Sequence, residues 1–492
     1  MKVAVLGGGI SGLAASHYLL KYGGSSIEKI ILIEASERVG GWIHTKRFED
    51  GVIHEVGPKS VRAAGINGLN SLLLVEEVGL SPDIVFFSRN NAAAKKRYIW
   101  YDNKMHTLPG TFASIFQKSS LLSEPFIKYL WNEFRNPKLD LSDDQDISVY
   151  DFMSRRLGDE IGKFFADPMC RGITAGDARK LSMRSMFPPI IDLAQKKGSL
   201  VKGMFSVRPF NDPIWLEARK SPLAMRSRGE KWASWSFRNG LSQLPEKIFD
   251  NLSNNGTQFD SKVGHLCEHI MFKPDGSAVV HISNSSSIKP IAVDHVISTI
   301  PSHHLAKCLS PKTYHDLCEN LLSIKHVPVA VICLEYEGKV MEPDRGFGFL
   351  TPSLEKPEVL GIIFDSCCFP SHDADKNVTR LTVMAGGEWF EELFGDPSSV
   401  SPDKILEIAL KNVHKCLGIK DHPVRYDVNI HKDCIPQYYL GHGAKLKKIE
   451  DLIETHKLNL HFTGFSYRGV GVNDNILNAR KTIQNLIKQY EK

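Results

Sequence analysis

Gly7, Gly9 and Gly12 stand in a Gly-x-Gly-x-x-Gly spacing, and a carboxylate, Glu34, follows about twenty residues on. In the order strand, turn, helix, strand, acid, these residue types hold a dinucleotide. Gly7 lets the chain turn, Gly9 lets backbone N–H groups approach a pyrophosphate, and Gly12 lets the helix pack on the strand. The positive end of the helix then faces the phosphates. Glu34 can accept hydrogen bonds from a ribose diol. The bland alternative is a glycine-rich turn that binds nothing.

Other residues could extend this chemistry. A second glycine pair, Gly40-Gly41, comes just after the acid, and Gly57-Pro58 makes a turn after Ile53-His-Glu55. Two more close backbone approaches suit a cofactor lying extended across the fold, FAD rather than a nicotinamide. Near the other end, Gly464-Phe-Ser-Tyr-Arg-Gly469-Val-Gly471 again offers N–H groups before a helix, so both ends of the chain are expected to build one site. Arg97 follows Lys95 and Lys96, as a solvated basic edge or as the partner of a buried carboxylate. Phe347 and Leu350 read as core or as a clamp on a flat apolar ligand. His442 reads as a satisfied structural histidine. No catalytic acid or base and no metal ligand is assigned.

The elements that must position these residues follow from the apolar runs. The first strand starts at residue 2, its helix runs to about Tyr22, and a second strand spans residues 30–33. Residues 112–209 mix aromatic, aliphatic and basic residues, including Phe112, Phe116, Trp131, Lys128 and Arg135, and read as helices. They form either an ordinary helical subdomain or a surface for lipid head groups. Around Trp232 to Pro245 a loop turns into a helix. Strands are expected at 263–270, 277–282, 294–300, 327–336, 361–364 and 380–386, with a last strand, glycine loop and helix over 460–490.

Length and composition set the bounds. At 492 residues, 42% hydrophobic and 24% charged, the chain is a folded protein of two or three domains. The net charge of +5 does not indicate nucleic acid. No run of 18 apolar residues occurs, and a strand at residue 2 leaves no room for a cleavable leader. The nine scattered cysteines contain no Cys-x-x-Cys and read as buried small hydrophobes or free thiols.

Several stretches together resemble the flavin-containing amine oxidase superfamily, and within it the animal mitochondrial branch that oxidises porphyrinogens. They are Val5-Leu-Gly-Gly-Gly-Ile-Ser-Gly-Leu-Ala-Ala-Ser16, Ser36-Glu-Arg-Val-Gly-Gly-Trp-Ile43, Cys170-Arg-Gly172, Gly346-Phe-Gly348, Cys434-Ile-Pro-Gln-Tyr438, Leu440-Gly-His442 and Gly469-Val-Gly-Val-Asn-Asp474. The resemblance implies an α/β fold: a discontinuous Rossmann-like FAD-binding domain (1–88, 236–302, 425–492), an α+β substrate domain (89–112, 210–235, 303–424) and a helical membrane-binding domain (113–209).

It also implies oxidation of protoporphyrinogen IX to protoporphyrin IX, with molecular oxygen as acceptor and hydrogen peroxide as product, the penultimate step of haem synthesis. The expected form is a homodimer with one non-covalent FAD per subunit. It would lie peripherally on the intermembrane-space side of the inner mitochondrial membrane, with ferrochelatase as a candidate recipient of the product. By position, FAD would contact Gly7, Gly8, Gly9, Ile10, Ser11, Gly12, Glu34, Ala35, Arg38, Gly41, Trp42, Gly57, Pro58, Lys59, Ser60, Val263, Phe465, Val470, Gly471 and Val472. The porphyrinogen would meet Arg97, Met169, Arg171, Gly172, Phe347, Leu350 and Met384.

Two positions depart from that branch. Lys59 replaces an arginine, keeping the charge without the planar fork, and Tyr98 replaces a phenylalanine. Two rival readings remain: a superfamily oxidase of amines or polyenes, and a non-catalytic lipid carrier of the Rab escort kind.

Overall fold

Strand Lys2–Leu6 is apolar after its first residue because both its faces are covered. The structure, a computed structural model, describes residues 1–110, 113–135, 145–204, 212–284, 287–342 and 344–491. Five parallel strands lie in the order Phe259–Val263, Lys29–Glu34, Lys2–Leu6, His295–Ser298, Leu460–Phe462. Val3, Val5 and Leu32 pack under helices Ile10–Gly23 and Val472–Tyr490. Ala4, Leu6 and Ile33 face the other way, onto Ile270 and Val280 of a three-stranded antiparallel sheet and onto Leu305, Leu317 and Ile449 of three helices. The period of two along each strand separates these two cores.

A second layer is a seven-stranded sheet, in the order Arg425–Pro436, His326–Glu337, Val378–Gly386, Val359–Ile363, Gly348–Leu350, Tyr98–Tyr101, Lys104–Thr107. On one face Ala330, Ile332 and Leu334 bury helix Pro402–Leu417 through Ile405, Ala409 and Val413. On the other, Val329, Val331 and Cys333 meet Val56 and Ala175. Val56 immediately precedes the Gly57-Pro58 turn, so this face backs onto the first layer. A short sheet of Val61–Arg62, Trp232–Phe237 and Ile84–Ser88 bridges the two.

Within the expected helical stretch, the described residues 126–135 and 145–204 carry helices Phe126–Arg135, Val149–Leu157, Asp167–Thr174 and Pro188–Lys197 among others, and 136–144 lie outside the described residues. Glu133, fully buried, holds them together. It accepts from the backbone N–H groups of Leu200 (2.7 Å) and Val201 (3.1 Å) and from Ser199 Oγ (2.7 Å), and it pairs with Arg156. Burial works to raise its pKa, but these donors outweigh it and hold the carboxylate below its ordinary range.

The expected boundaries shift in several places. Strand Arg425–Pro436 pairs along His326–Glu337, so the substrate-side sheet continues past 424. Helices Ser302–Cys308 and His315–Leu322 pack beneath the five-stranded sheet, which puts residues 303–322 with the first layer. Helices Pro213–Ala218 and Pro222–Gly229 lie on Gly65–Glu77 in that layer too. Trp232–Phe237 is a strand rather than the expected loop, and its near-complete burial hides the alternation that marks a strand. The edges at 112 and 209–210 fall outside the described residues. The C-terminal helix starts at Val472, four residues before the sequence suggested, because Gly471 caps it.

Candidate functional site

The turn after Leu6 is glycine for steric reasons. Gly7 has φ +102°, and a Cβ on Gly12 would lie 1.9 Å from the Gly7 carbonyl oxygen. Thr299 closes the far side, donating from Oγ1 to the Leu6 carbonyl at 2.7 Å. Gly9 differs: a Cβ there would meet only Gly41 Cα, at 3.8 Å, and no side chain caps the helix that opens at Ile10 and Ser11. Its first N–H groups therefore face outward together.

Glu34 is half-buried and fixed at the end of its strand. Oε2 accepts from the Gly8 N–H at 2.6 Å, and Oε1 accepts from the N–H and Oγ of Ser36 at 2.8 and 2.6 Å. The Gly40 N–H donates to the Gly8 carbonyl at 2.8 Å, which brings the second glycine pair against the first. Arg38 braces that loop by donating to the carbonyls of Gly41 (2.8 Å) and Ile43 (3.3 Å), with Ala35 exposed beside it. Val263 pairs in register with Glu34. Trp42 meets His431 edge-on at 5.0 Å, and His431 bonds the Val56 carbonyl at 2.9 Å. Gly57 has no room for a side chain, since its Cβ would sit 1.8 Å from the Trp42 carbonyl oxygen. Beyond Pro58, Ser60 Oγ accepts from Ser234 at 2.8 Å. Lys59 donates to the Glu55 carbonyl and reaches Cys333 Sγ at 3.6 Å, tying the turn to the seven-stranded sheet.

The C-terminal loop arrives beside this turn. Gly469 has φ +84°, and its Cβ would lie 2.4 Å from Asp474 Cβ. Gly471 opens helix Val472–Tyr490 with no side chain of its own, and Val470 precedes it, half-buried. Ser11 donates to Asn475 Oδ1 at 3.0 Å and joins the two helix starts. Phe465 offers its carbonyl to the Tyr438 hydroxyl. Two helix N-termini with glycine at the cap position stand side by side, next to a fixed carboxylate and glycine backbone, and the Asp474 carboxylate accepts from the Gly471 N–H at 3.3 Å. The diphosphate and ribose of FAD fit this cradle.

The neighbouring wall holds the other expected residues. The Arg97 guanidinium lies 5.7 Å from the Phe347 ring centre and has no carboxylate partner among the described residues. Burial, then the nearby Arg62 charge, lowers its pKa. The Phe347 N–H donates to the Lys96 carbonyl at 3.1 Å, and its ring packs on Phe87, Cys368 and Phe369. Gly172 exists for contact: its Cβ would lie 2.6 Å from Leu350 Cδ2. Met169, half-buried, is on the same helix, and Met384 packs on the sheet face that carries Val331 and Cys333. The Tyr98 hydroxyl donates to the Arg345 carbonyl at 2.6 Å. A small cavity lined by Lys59, Ser60, Phe347 and Asp365 separates the flavin turn from this wall.

Arg171 is placed differently from expectation. It is 2% exposed, lies 4.1 Å from the centre of the Trp389 ring and donates to the Val359 carbonyl at 3.4 Å. Burial lowers its pKa to about 10. It ties helix Asp167–Thr174 to strand Val359–Ile363. His442 is a buried structural group, stacked on Tyr438 and bonded to the Tyr467 carbonyl at 2.9 Å, and burial lowers its pKa to about 4. Thr299 and Asn475 were not singled out from sequence. Asn475 had a signal, lying four residues after Gly471 at a helix start, whereas Thr299 is ordinary strand-end sequence.

The chain matches the family of flavin containing amine oxidoreductases over residues 10–487. It is 36% identical over 484 residues to the protoporphyrinogen oxidases of Bos taurus and of Homo sapiens, with 97% of each chain covered in both cases. Its fold superposes on a solved structure from Exiguobacterium sp. 255-15 with a TM-score of 0.76 at 22% identity, covering 99% of both chains. Family, cradle and wall agree, and the chain belongs to the flavin containing amine oxidoreductases, in the branch of the protoporphyrinogen oxidases.

Proposed function

We propose that this protein is an FAD-dependent oxidase that converts protoporphyrinogen IX to protoporphyrin IX, passing electrons to molecular oxygen and releasing hydrogen peroxide. One observation carries the reading: an exposed arginine, Arg97, with no carboxylate partner among the described residues, stands over an aromatic ring, next to a turn shaped for a flavin. A macrocycle with carboxylate arms needs that combination. An amine substrate would have little use for Arg97, and a lipid carrier would have no need of two helix N-termini aimed at a diphosphate.

The bound flavin supplies two-electron acceptance, and the substrate loses six hydrogens over three rounds. Arg97 pairs with a propionate and fixes the ring's orientation. Phe347 and Leu350 hold the macrocycle faces, with Gly172 setting the depth at Leu350. The apolar wall excludes water from the reacting bridge carbon. No side chain needs to act as a strong base, because pyrrole protons can leave to solvent.

The same reading makes the protein a homodimer bound peripherally to the inner mitochondrial membrane on its intermembrane-space side. Among the described residues no helix is long and apolar enough to cross a membrane. Support for surface binding comes from helix Phe126–Arg135, where exposed Trp131 and Phe134 stack at 5.8 Å beside Lys128, Arg135 and Lys202.

The direct test mixes purified holoenzyme with protoporphyrinogen without oxygen. Bleaching of the flavin absorbance together with the appearance of porphyrin fluorescence is expected. A flavin that stays oxidised with porphyrinogen but bleaches with amines would assign the amine reading.

A further inference from the structure

We propose that Arg62 is a second carboxylate-binding residue, acting with Arg97 to grip both acid groups of one dianionic tetrapyrrole. The inference rests on the porphyrinogen reading of the site.

Register places Arg62. Both Arg62 and Phe87 are direct partners of Ser234 in the bridging sheet. Residues in one cross-strand row share a face, so the Arg62 side chain is on the Phe87 side. The Phe87 ring is 6.5 Å from Phe347, and Arg97 lies over that same Phe347 ring. The backbone of Arg62 is anchored from the flavin loop, because Asn473 Nδ2 donates to its carbonyl at 2.9 Å. Arg62 thus stands between the C-terminal loop and Arg97.

Charge makes the arrangement unusual. Neither guanidinium has a hydrogen-bond or ion-pair partner among the described residues. Other cations nearby are paired: Lys96 with Asp344 at 3.2 Å and Arg380 with Asp373 at 2.6 Å. Arg62 is close enough to Arg97 that its like charge helps to lower the Arg97 pKa, after burial. Both side chains are exposed on this wall, and an anion spanning them would neutralise two like charges at once. The two propionates of protoporphyrinogen sit on adjacent pyrroles and flank one bridge carbon. Two arginines reading both arms would fix which bridge enters the site, which one arginine cannot do.

The test uses holoenzyme and two probes that differ only in charge, protoporphyrin IX and its dimethyl ester, with binding followed by porphyrin fluorescence and FAD content by absorbance. Arg62→Ala and Arg62→Gln should each weaken diacid binding by about tenfold. Ester binding and FAD content should stay unchanged, and Arg62→Lys should recover part of the loss. KM for the porphyrinogen should rise while kcat stays within about twofold. Unchanged diacid binding in both Arg62 variants, with Arg97→Ala losing it, overturns the role of Arg62 and leaves the porphyrinogen reading standing. A wild-type protein that binds diacid no better than ester overturns both together.

Discussion

Arg97 and Phe347 divide the substrate's needs between charge and contact. Because Arg97 touches a part of the ligand remote from the reacting bridge, its interaction is as strong in the ground state as in the transition state. Arg97→Ala is expected to raise KM by at least about tenfold and to change kcat far less. Steady-state kinetics with porphyrinogen check this, and an unchanged KM would remove Arg97 from the site. Phe347→Ala should cost turnover while the purified protein keeps its yellow flavin, since the ring packs on Phe87, Cys368 and Phe369 and not on the glycine cradle. A colourless Phe347→Ala protein would mean that the ring supports the fold instead.

At the scale of elements, function depends on where helices begin. Helices Ile10–Gly23 and Val472–Tyr490 lie side by side on one face of the parallel sheet, and Ser11 to Asn475 keeps their starts level. The glycines there are steric requirements. Gly12→Ala sets a methyl against the Gly7 carbonyl, an overlap that typically costs 1–3 kcal/mol or more. Its expected result is at least a tenfold loss of FAD affinity, read by absorbance after dialysis against low FAD, with the far-ultraviolet spectrum retained. Helix Phe126–Arg135 carries a different role. Buried Glu133 locks one side of it to Arg156 and to the helix Leu200–Met204, while Trp131 and Phe134 stay exposed. Trp131→Ser with Phe134→Ser should reduce sedimentation with anionic vesicles several-fold and leave soluble turnover intact. Equal vesicle binding by this double variant would move the membrane contact elsewhere.

In the whole molecule two layers meet at Val56 to Ser60, and the junction contains a buried acid. Glu55 is 4% exposed, and burial pushes its pKa up to about 7, although the Leu241 N–H at 2.6 Å and Thr45 Oγ1 at 2.8 Å favour its charged form. The folded protein therefore keeps a proton that the unfolded chain releases near 4.5. This group's stabilising effect is complete below about pH 4.5, declines as pH rises, and is gone above about 7, a change on the order of 3 kcal/mol. The difference in stability between wild type and Glu55→Gln, both saturated with FAD, should shrink in step with pH across that window. A pH-independent difference would show that Glu55 is charged throughout.

The sequence alone determined the residues whose spacing is local. The strand, glycine turn, helix and Glu34 form one unit of about thirty residues, and the C-terminal glycine loop before its helix has the same local signature. Arg97, Phe347 and Leu350 entered through resemblance, since nothing in their neighbours distinguishes a ligand site from a basic edge or a core. Long-range pairing decided the rest. Strand Arg425–Pro436 joins the far sheet because its partner is about a hundred residues earlier, and Trp232–Phe237 becomes a strand only when Val61–Arg62 and Ile84–Ser88 flank it. Arg171 turned out to be buried on Trp389, and Arg62 was brought beside Arg97, for the same reason. Propensity and motif act over a few residues, whereas which side chains are buried, paired or left facing one another depends on contacts between segments that sequence order keeps apart.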